Sequence, residues 1–379
     1  MPLQRYGVSY SLLGTSFDEL TNVQAINLNI GVQAQLDQIR SSTATIEARY
    51  PNGYASPITA LKAGTFIRIY NYTDPSSAYV IWQGKISDVS VQYGFPYQSS
   101  VGNADFITIT CEGYFAALGR MNGNNYSMAA ATLPTQMTAA SGQTGVDIDY
   151  LPASDSRAGA ATTVSGTWAD WVAQTALSNN ARMWDGPTNY SDDVTIISPF
   201  YFSGTDYNFS DTPSGSTQVY DQINFDSLAD NFYTQVNVAT ESFGTSTVTK
   251  SGATVPYRTY QVNTLNDSAS QATDFGNYLL GNYGEPRLAI SSFSASAEQQ
   301  TTFKLDSLVI SDDFSNYPGK TITVTFRGTT YSCIIEGVSM TATPASQRFT
   351  FYVSGADLNA YLILGNTTFG KLDSNRLGY

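Results

Sequence analysis

At 379 residues the chain is long enough for two or three domains with cores of their own. Charged residues are only 13% of it, against about 25% in an ordinary domain. Ser, Thr, Asn, Gln and Gly fill the difference, which suits β-structure and surfaces that face other protein. A net charge of −13 with 18 scattered Lys and Arg excludes the basic face that displaces counterions from nucleic acid, and no apolar run approaches the roughly 18 residues of a membrane-spanning helix.

The opening "MPLQRYGVSYSLLG" has neither the charged start nor the continuous apolar stretch of a secretion signal, so synthesis in a cytoplasm is expected. Period-two alternation follows. "AINLNIGV" puts Ile26, Leu28 and Ile30 on one face, and "STATIEARY" does the same with Ala44, Ile46 and Ala48. "TFIRIYN" and "FITITCEG" repeat the habit. Between them Ile86 and Val89 break the alternation by one residue, which predicts a bulge near Ser87-Asp88.

From about Asn122 to Gly215 the composition shifts to Ala, Thr, Ser, Gly and Asn. A short helix is expected from near Ser127 to just before Pro134. A stronger one is expected after it, with Trp168, Trp171, Val172 and Thr175 on one face and Ser165 or Thr167 as its cap. Asp170 lies off that face and reads as solvated. Phe202 to Gln218 reads as a loop. Strand patterning resumes at Val219, and a helix is expected after Asn266–Ser268, with Gly281 or Gly284 as its stop. "TITVTFRG" and "RFTFYVSG" then return to alternation.

The two ends resemble each other. Each has a glycine (Gly64, Gly319), an alternating strand, a second strand containing Gln83-Gly84 or Glu336-Gly337, a proline turn (Pro96, Pro344), another strand and a closing glycine (Gly113, Gly355). The expected fold is mainly β, with two similar antiparallel β-barrel domains and an inserted α+β domain. The expected boundaries are 1–121 for the first barrel, 122–215 for the inserted domain with long loops, and 216–379 for the second barrel. A helix-bearing segment at about 241–290 interrupts the last.

Little in the sequence points to catalysis. Histidine is absent, which removes the usual base near neutral pH, the commonest metal ligand and every Ser-His-Asp or Cys-His arrangement. No phosphate-cradling glycine motif occurs. Asp147 and Asp149, Asp192 and Asp193, and Asp312 and Asp313 lack the spacing of a calcium loop with its closing Glu, so they read as turn or cap acids. Carboxylate pairs with Trp168, Trp171 and Trp184 would suit a sugar-cleaving site, but the helical spacing of the first two favours core packing. Cys111 and Cys333, both flanked by strand residues, are expected to be reduced and buried. No catalytic residue, metal or cofactor is expected.

"LKAGTFIRIYN", "YVIWQGKISDVSVQYG" and "ADFITITCEGYFAALGR" together resemble the first barrel of tail hub (baseplate hub, minor tail) proteins of tailed bacteriophages. "YLLGNYGEPRLAISSFSAS" with the strands up to Gly355 resembles their second barrel, and "YLILGNTTFGKLDSNRLGY" their glycine-punctuated C-terminus. The segment from about 122 to 215 has no such match. The resemblance implies a short helix holding Phe115 and Leu118, a non-enzymatic structural protein of the virion tail tip, and a homotrimer. Two barrels in each of three chains would make a ring of six similar positions, joining a six-fold tail tube to a three-fold tip. Implied partners are further copies of the chain, the tail tube or distal tail protein, and tip or fibre proteins; DNA would pass through an acidic lumen without specific binding. At the C-terminus Phe369, Leu372, Leu377 and Tyr379 would anchor on a neighbour or pack on their own barrel. The rival readings are a hexameric distal tail protein and a carbohydrate-binding or glycoside-cleaving β-protein.

Overall fold

Alternating residues near the start of the chain become β1 (Tyr6–Ser11), β2 (Asp18–Glu19), β3 (Val23–Gly31), β4 (Thr43–Tyr50), β5 (Phe66–Asn71), β6 (Tyr79–Gln92) and β7 (Asp105–Glu112). The structure, a computed structural model, describes residues 6–34, 36–50, 61–71, 79–93, 105–185, 193–198, 205–212, 217–227, 232–240, 243–284, 288–296 and 321–355. Of these, 54% lie in strands and 16% in helices, so the fold is mainly β.

A mixed region follows: α1 (Phe115–Gly119), β8 (Tyr126–Met128), β9 (Ala131–Thr132), α2 (Leu133–Thr144), β10 (Asp147–Leu151), β11 (Ala158–Gly159), β12 (Thr162–Val164), α3 (Trp168–Ser178), β13 (Arg182–Asp185) and β14 (Asp193–Ile197). It has its own core, in which Leu118, Met137, Val172 and Ile196 are fully buried. Helix α1 buries Phe115 and Leu118 as expected. The helix expected to stop before Pro134 instead begins there: 126–128 is a strand, and Pro134 sits in the first turn of α2. Proline has no N–H to offer, and the first turn needs none, so it starts helices as readily as it ends them.

The chain then returns to strands with β15 (Thr205–Ser210), β16 (Gln218–Val219) and β17 (Gln222–Ser227). A small unit comes next, formed by β18 (Gln235–Thr240), β19 (Gly244–Thr249), β20 (Thr259–Thr264) and α4 (Ala269–Tyr283). Its helix lays Ala272, Phe275 and Leu279 on Val236, Val238 and Val262 of the sheet. The last strands are β21 (Leu288–Ser296), β22 (Thr321–Phe326), β23 (Thr329–Ala342) and β24 (Gln347–Gly355). Arg327 and Gly328, both at positive φ, make the tight turn between β22 and β23.

Among the described residues no barrel closes. Strands from both ends of the chain form one open 14-stranded sheet, in the order β16-β15-β22-β23-β3-β4-β7-β6-β5-β1-β2, with β24, β21 and β17 branching from β23. The join is β3 on β23, antiparallel from Gly31 opposite Gly337 to Ile26 opposite Ala342. A single core therefore runs through both ends, from Ile26, Ile46 and Ile109 to Phe209, Phe293 and Phe351.

The pairing order nonetheless repeats. Strand β6 joins β5 to β7, and β7 joins β4; likewise β23 joins β22 to β24, and β24 joins β21. Both β6 and β23 are 14 residues long. Each carries one unpaired residue against the following strand, Ser87 in β6 and Glu336 in β23. The expected bulge is thus present, and it marks the matching positions better than the glycines do. Counted from the bulges, Gly337 corresponds to Asp88, not to Gly84.

Candidate assembly surfaces

The residues that would carry chemistry do not converge. Asp147 and Asp149 share one face of β10, where burial and Asp147 push the Asp149 carboxyl up. Among the described residues no three metal-ligating side chains cluster. Trp168, Trp171 and Trp184 are buried, with Trp168 and Trp171 edge to face at 5.9 Å, so they are core residues. Asp170 is exposed but engaged: its carboxylate accepts from the Thr167 backbone N–H at 3.3 Å while the Thr167 hydroxyl accepts from the Asp170 N–H at 3.1 Å, a capping box. The T-x-x-D spacing signalled it, and its position off the apolar face hid it. Cys111 and Cys333 are free, buried thiols; burial pushes Cys333 up to about 12 and Cys111 higher still, so neither is a nucleophile near neutral pH. Phe369, Leu372, Leu377 and Tyr379, with Asp192, Asp312 and Asp313, lie outside the described residues.

What the fold does bring together are buried junctions. Arg182 of β13 reaches Glu336, the bulge residue of β23, with Nη2 to Oε1 at 2.8 Å and Nε to Oε2 at 3.2 Å. Ser354 of β24 also donates to Glu336, and Tyr278 of α4 hydrogen-bonds with Arg182. Burial alone would lower the Arg182 pKa; Glu336 and Tyr278 outweigh it and hold the guanidinium charged. Three packing units meet at this one cation.

Asp185, at the end of β13, is a second junction. Its carboxylate accepts from the Ser41 hydroxyl at 2.6 Å, the Ser42 N–H at 3.0 Å and the Phe115 N–H at 3.1 Å. The Ser42 hydroxyl donates to the Asp185 carbonyl and accepts from the Trp82 indole, both at 2.8 Å. Burial raises the carboxyl pKa and these donors offset part of the rise. Gly113 is required beside it, because a Cβ there would collide with the Asp185 carboxylate and the Ser42 hydroxyl.

Exposed groups lie at strand edges and turns. Leu12 and Leu13 are 54% and 80% exposed in the β1–β2 turn, and Tyr93, just past β6, is 61% exposed. Strands β2, β16 and β17 each pair on one side only among the described strands. Between α3 and β20 lies a cavity of about 620 Å³ whose wall includes Thr167, Asp170, Trp171, Asn263 and Thr264. The Trp171 indole N–H and the Thr264 hydroxyl are buried in that region without a partner.

No family model and no curated protein matches the sequence. The fold does match solved structures. A tail protein from Neisseria meningitidis MC58 superposes with a TM-score of 0.62 at 11% identity, over 93% of this chain and 97% of its own. The 43 kDa tail protein of prophage MuSo2 from Shewanella oneidensis gives 0.59 at 11% identity, over 93% and 96%. The E. coli c3393 protein, a type VI secretion component described as structurally similar to T4 tail proteins gp27 and gp5, gives 0.53 at 10% identity, over 92% and 77%. Over nearly its whole length, the chain has the fold of phage tail proteins and of this type VI secretion component.

Proposed function

We propose that the chain is a structural, non-enzymatic protein of a phage tail tip, assembling as a trimeric hub ring around the DNA channel. The observation that carries this reading is the twice-built strand set: β5-β6-β7-β4 and β22-β23-β24-β21 pair in the same order with a bulge at the matching place. Two similar barrel-like modules per chain, with the helix-bearing segments inserted around them, give six positions in three copies. That is the arithmetic by which a three-fold tip meets a six-fold tube. The match to tail proteins over 96% or more of their length supports the same role. The net charge of −13 would keep passing DNA from sticking to the lumen. In the virion its neighbours would be the tail tube or distal tail protein on one side and tip or fibre proteins on the other, with the C-terminal Phe369, Leu372, Leu377 and Tyr379 anchoring at one of these contacts.

Electron microscopy of the purified chain tests this. Class averages are expected to show a ring with three-fold symmetry, a six-lobed outline and an open centre. A six-fold ring of single lobes would support a distal tail protein instead. The carbohydrate reading rests on the cavity at Trp171 and Thr264, whose buried polar atoms lack a partner and whose wall also carries the Asp170 carboxylate. A shift of the Trp171 indole signal on titrating N-acetylglucosamine would favour it.

A further inference from the structure

Among the described strands, one edge is covered in one half of the repeat and unpaired in the other. On β23 the stretch from Gly337 to Ala342 lies between β24 and β3. Counted from the bulges, the matching stretch of β6 and the residue after it runs from Asp88 to Tyr93. It has β7 on one side; on the other, β5 pairs no further than Lys85 and no described strand follows. Burial tracks the difference. Val338, Met340 and Ala342 are 2%, 1% and 0% exposed, whereas Val89 and Val91 are half-buried and Tyr93 is 61% exposed.

The strand that covers β23 has a counterpart too. Strand β3 carries Ile26-Asn27-Leu28 and pairs with β4, Ile26 opposite Ile46. Strand β17 carries Ile223-Asn224-Phe225 and pairs with β21, Ile223 opposite Phe293, at the matching level of the second strand set. Ile26 and Leu28 are buried between two strands. Ile223 and Phe225 are half-buried, the Phe225 ring lying 5.2 Å from that of Phe326 and 5.5 Å from that of Tyr331, and the outer edge of β17 is hydrogen-bonded to no described strand. Neither bare edge carries the lysine or proline that usually guards one.

We propose that β17 of one copy adds to the bare edge of β6 in a second copy, as β3 adds to β23 within the chain. The proposal rests on the trimeric reading above and gives it a specific contact. The expected register sets Ile223 opposite Tyr93, Asn224 opposite Gln92 and Phe225 opposite Val91. Such a contact is head to tail, so it must close into a ring or run on into a filament. Closure at three copies makes the junctions between chains repeat the junctions within them.

The in-chain junction supplies the test. There Val32 N–H donates to the Glu336 carbonyl at 3.0 Å, which makes Thr341 and Asn27 a closely spaced, non-hydrogen-bonded pair. Their side chains bond at 3.1 Å. The counterparts across copies are Gln92 and Asn224. In the Gln92→Cys/Asn224→Cys variant, mild oxidation is expected to give a covalent trimer that reductant dissolves. The native thiols are buried and do not compete. In Gln92→Cys/Ile223→Cys the second cysteine faces the opposite side of the strand, and no cross-link is expected. Val91→Lys is expected to abolish the trimer while leaving the far-ultraviolet dichroism unchanged. A wild-type trimer whose Gln92→Cys/Asn224→Cys form does not cross-link would overturn this pairing and leave the trimeric reading standing. A wild-type chain that stays monomeric over a concentration series would overturn both.

Discussion

Arg182 and Glu336, 154 residues apart in sequence, form a buried two-pronged ion pair that fastens the mixed region to the bulge of β23. The bulge is what frees Glu336 for this: as the residue of β23 with no partner on β24, it can turn its carboxylate towards β13.

Breaking that pair from one side strands a buried charge. Glu336→Gln or Arg182→Met is expected to cost about 3–5 kcal/mol in urea unfolding, far more than an exposed pair. The pair Arg120–Glu112, with 63% of the Arg120 side chain exposed, serves as the control; Arg120→Ala is expected to stay within about 1 kcal/mol of wild type.

Asp185 sets a pH dependence of definite sign. Its folded pKa is raised above 3.8 by burial, so the stability linked to it is fully present below 3.8 and declines as pH rises through the folded value. Wild type should lose stability over that interval relative to Asp185→Asn, which cannot titrate. The slope of unfolding free energy against pH is the readout, because Asn also weakens the hydrogen bonds at every pH.

The glycine beside that carboxylate gives a geometric check. Gly113→Ala should lower stability by about 2 kcal/mol or more, since its Cβ meets the Asp185 and Ser42 side chains. Gly119→Ala meets only Ala169 Cβ, at 3.9 Å, and should be neutral or mildly stabilising. Thermal melts of the two variants side by side decide this.

Some of this was readable in the sequence. Helix α3 showed its apolar face and a cap at Ser165 or Thr167, and α4 caps within Asn266–Ser268 and a stop at Gly281 or Gly284, because these signals are local; the structure uses Thr167, Ser268 and Gly284. The bulge of β6 was readable from one broken step of alternation. Helix α2 was not, since Pro134 punctuates a helix start and a helix end alike. The glycines Gly84 and Gly337 suggested a false equivalence, for each is small to suit a different close neighbour: Trp82 and the Glu112 carbonyl for one, the backbone of β3 and Val32 for the other. The junctions at Glu336 and Asp185 left no local trace, because Arg182 is 154 residues from Glu336, and Ser41 and Ser42 are 144 and 143 from Asp185. The likeness of the Ile-Asn-apolar triplets of β3 and β17 emerges only from the sheet order, which puts them in matching places.

Assembly should respond to salt. Each copy carries −13, so bringing copies together is opposed by their net charge, and screening relieves it. Sedimentation at rising sodium chloride is expected to show more trimer, not less.

Native mass spectrometry of the wild-type chain over a concentration series tests the central claim most directly. A trimer that persists on dilution is the expected result. A hexamer, or a monomer at every concentration, would contradict the hub-ring account.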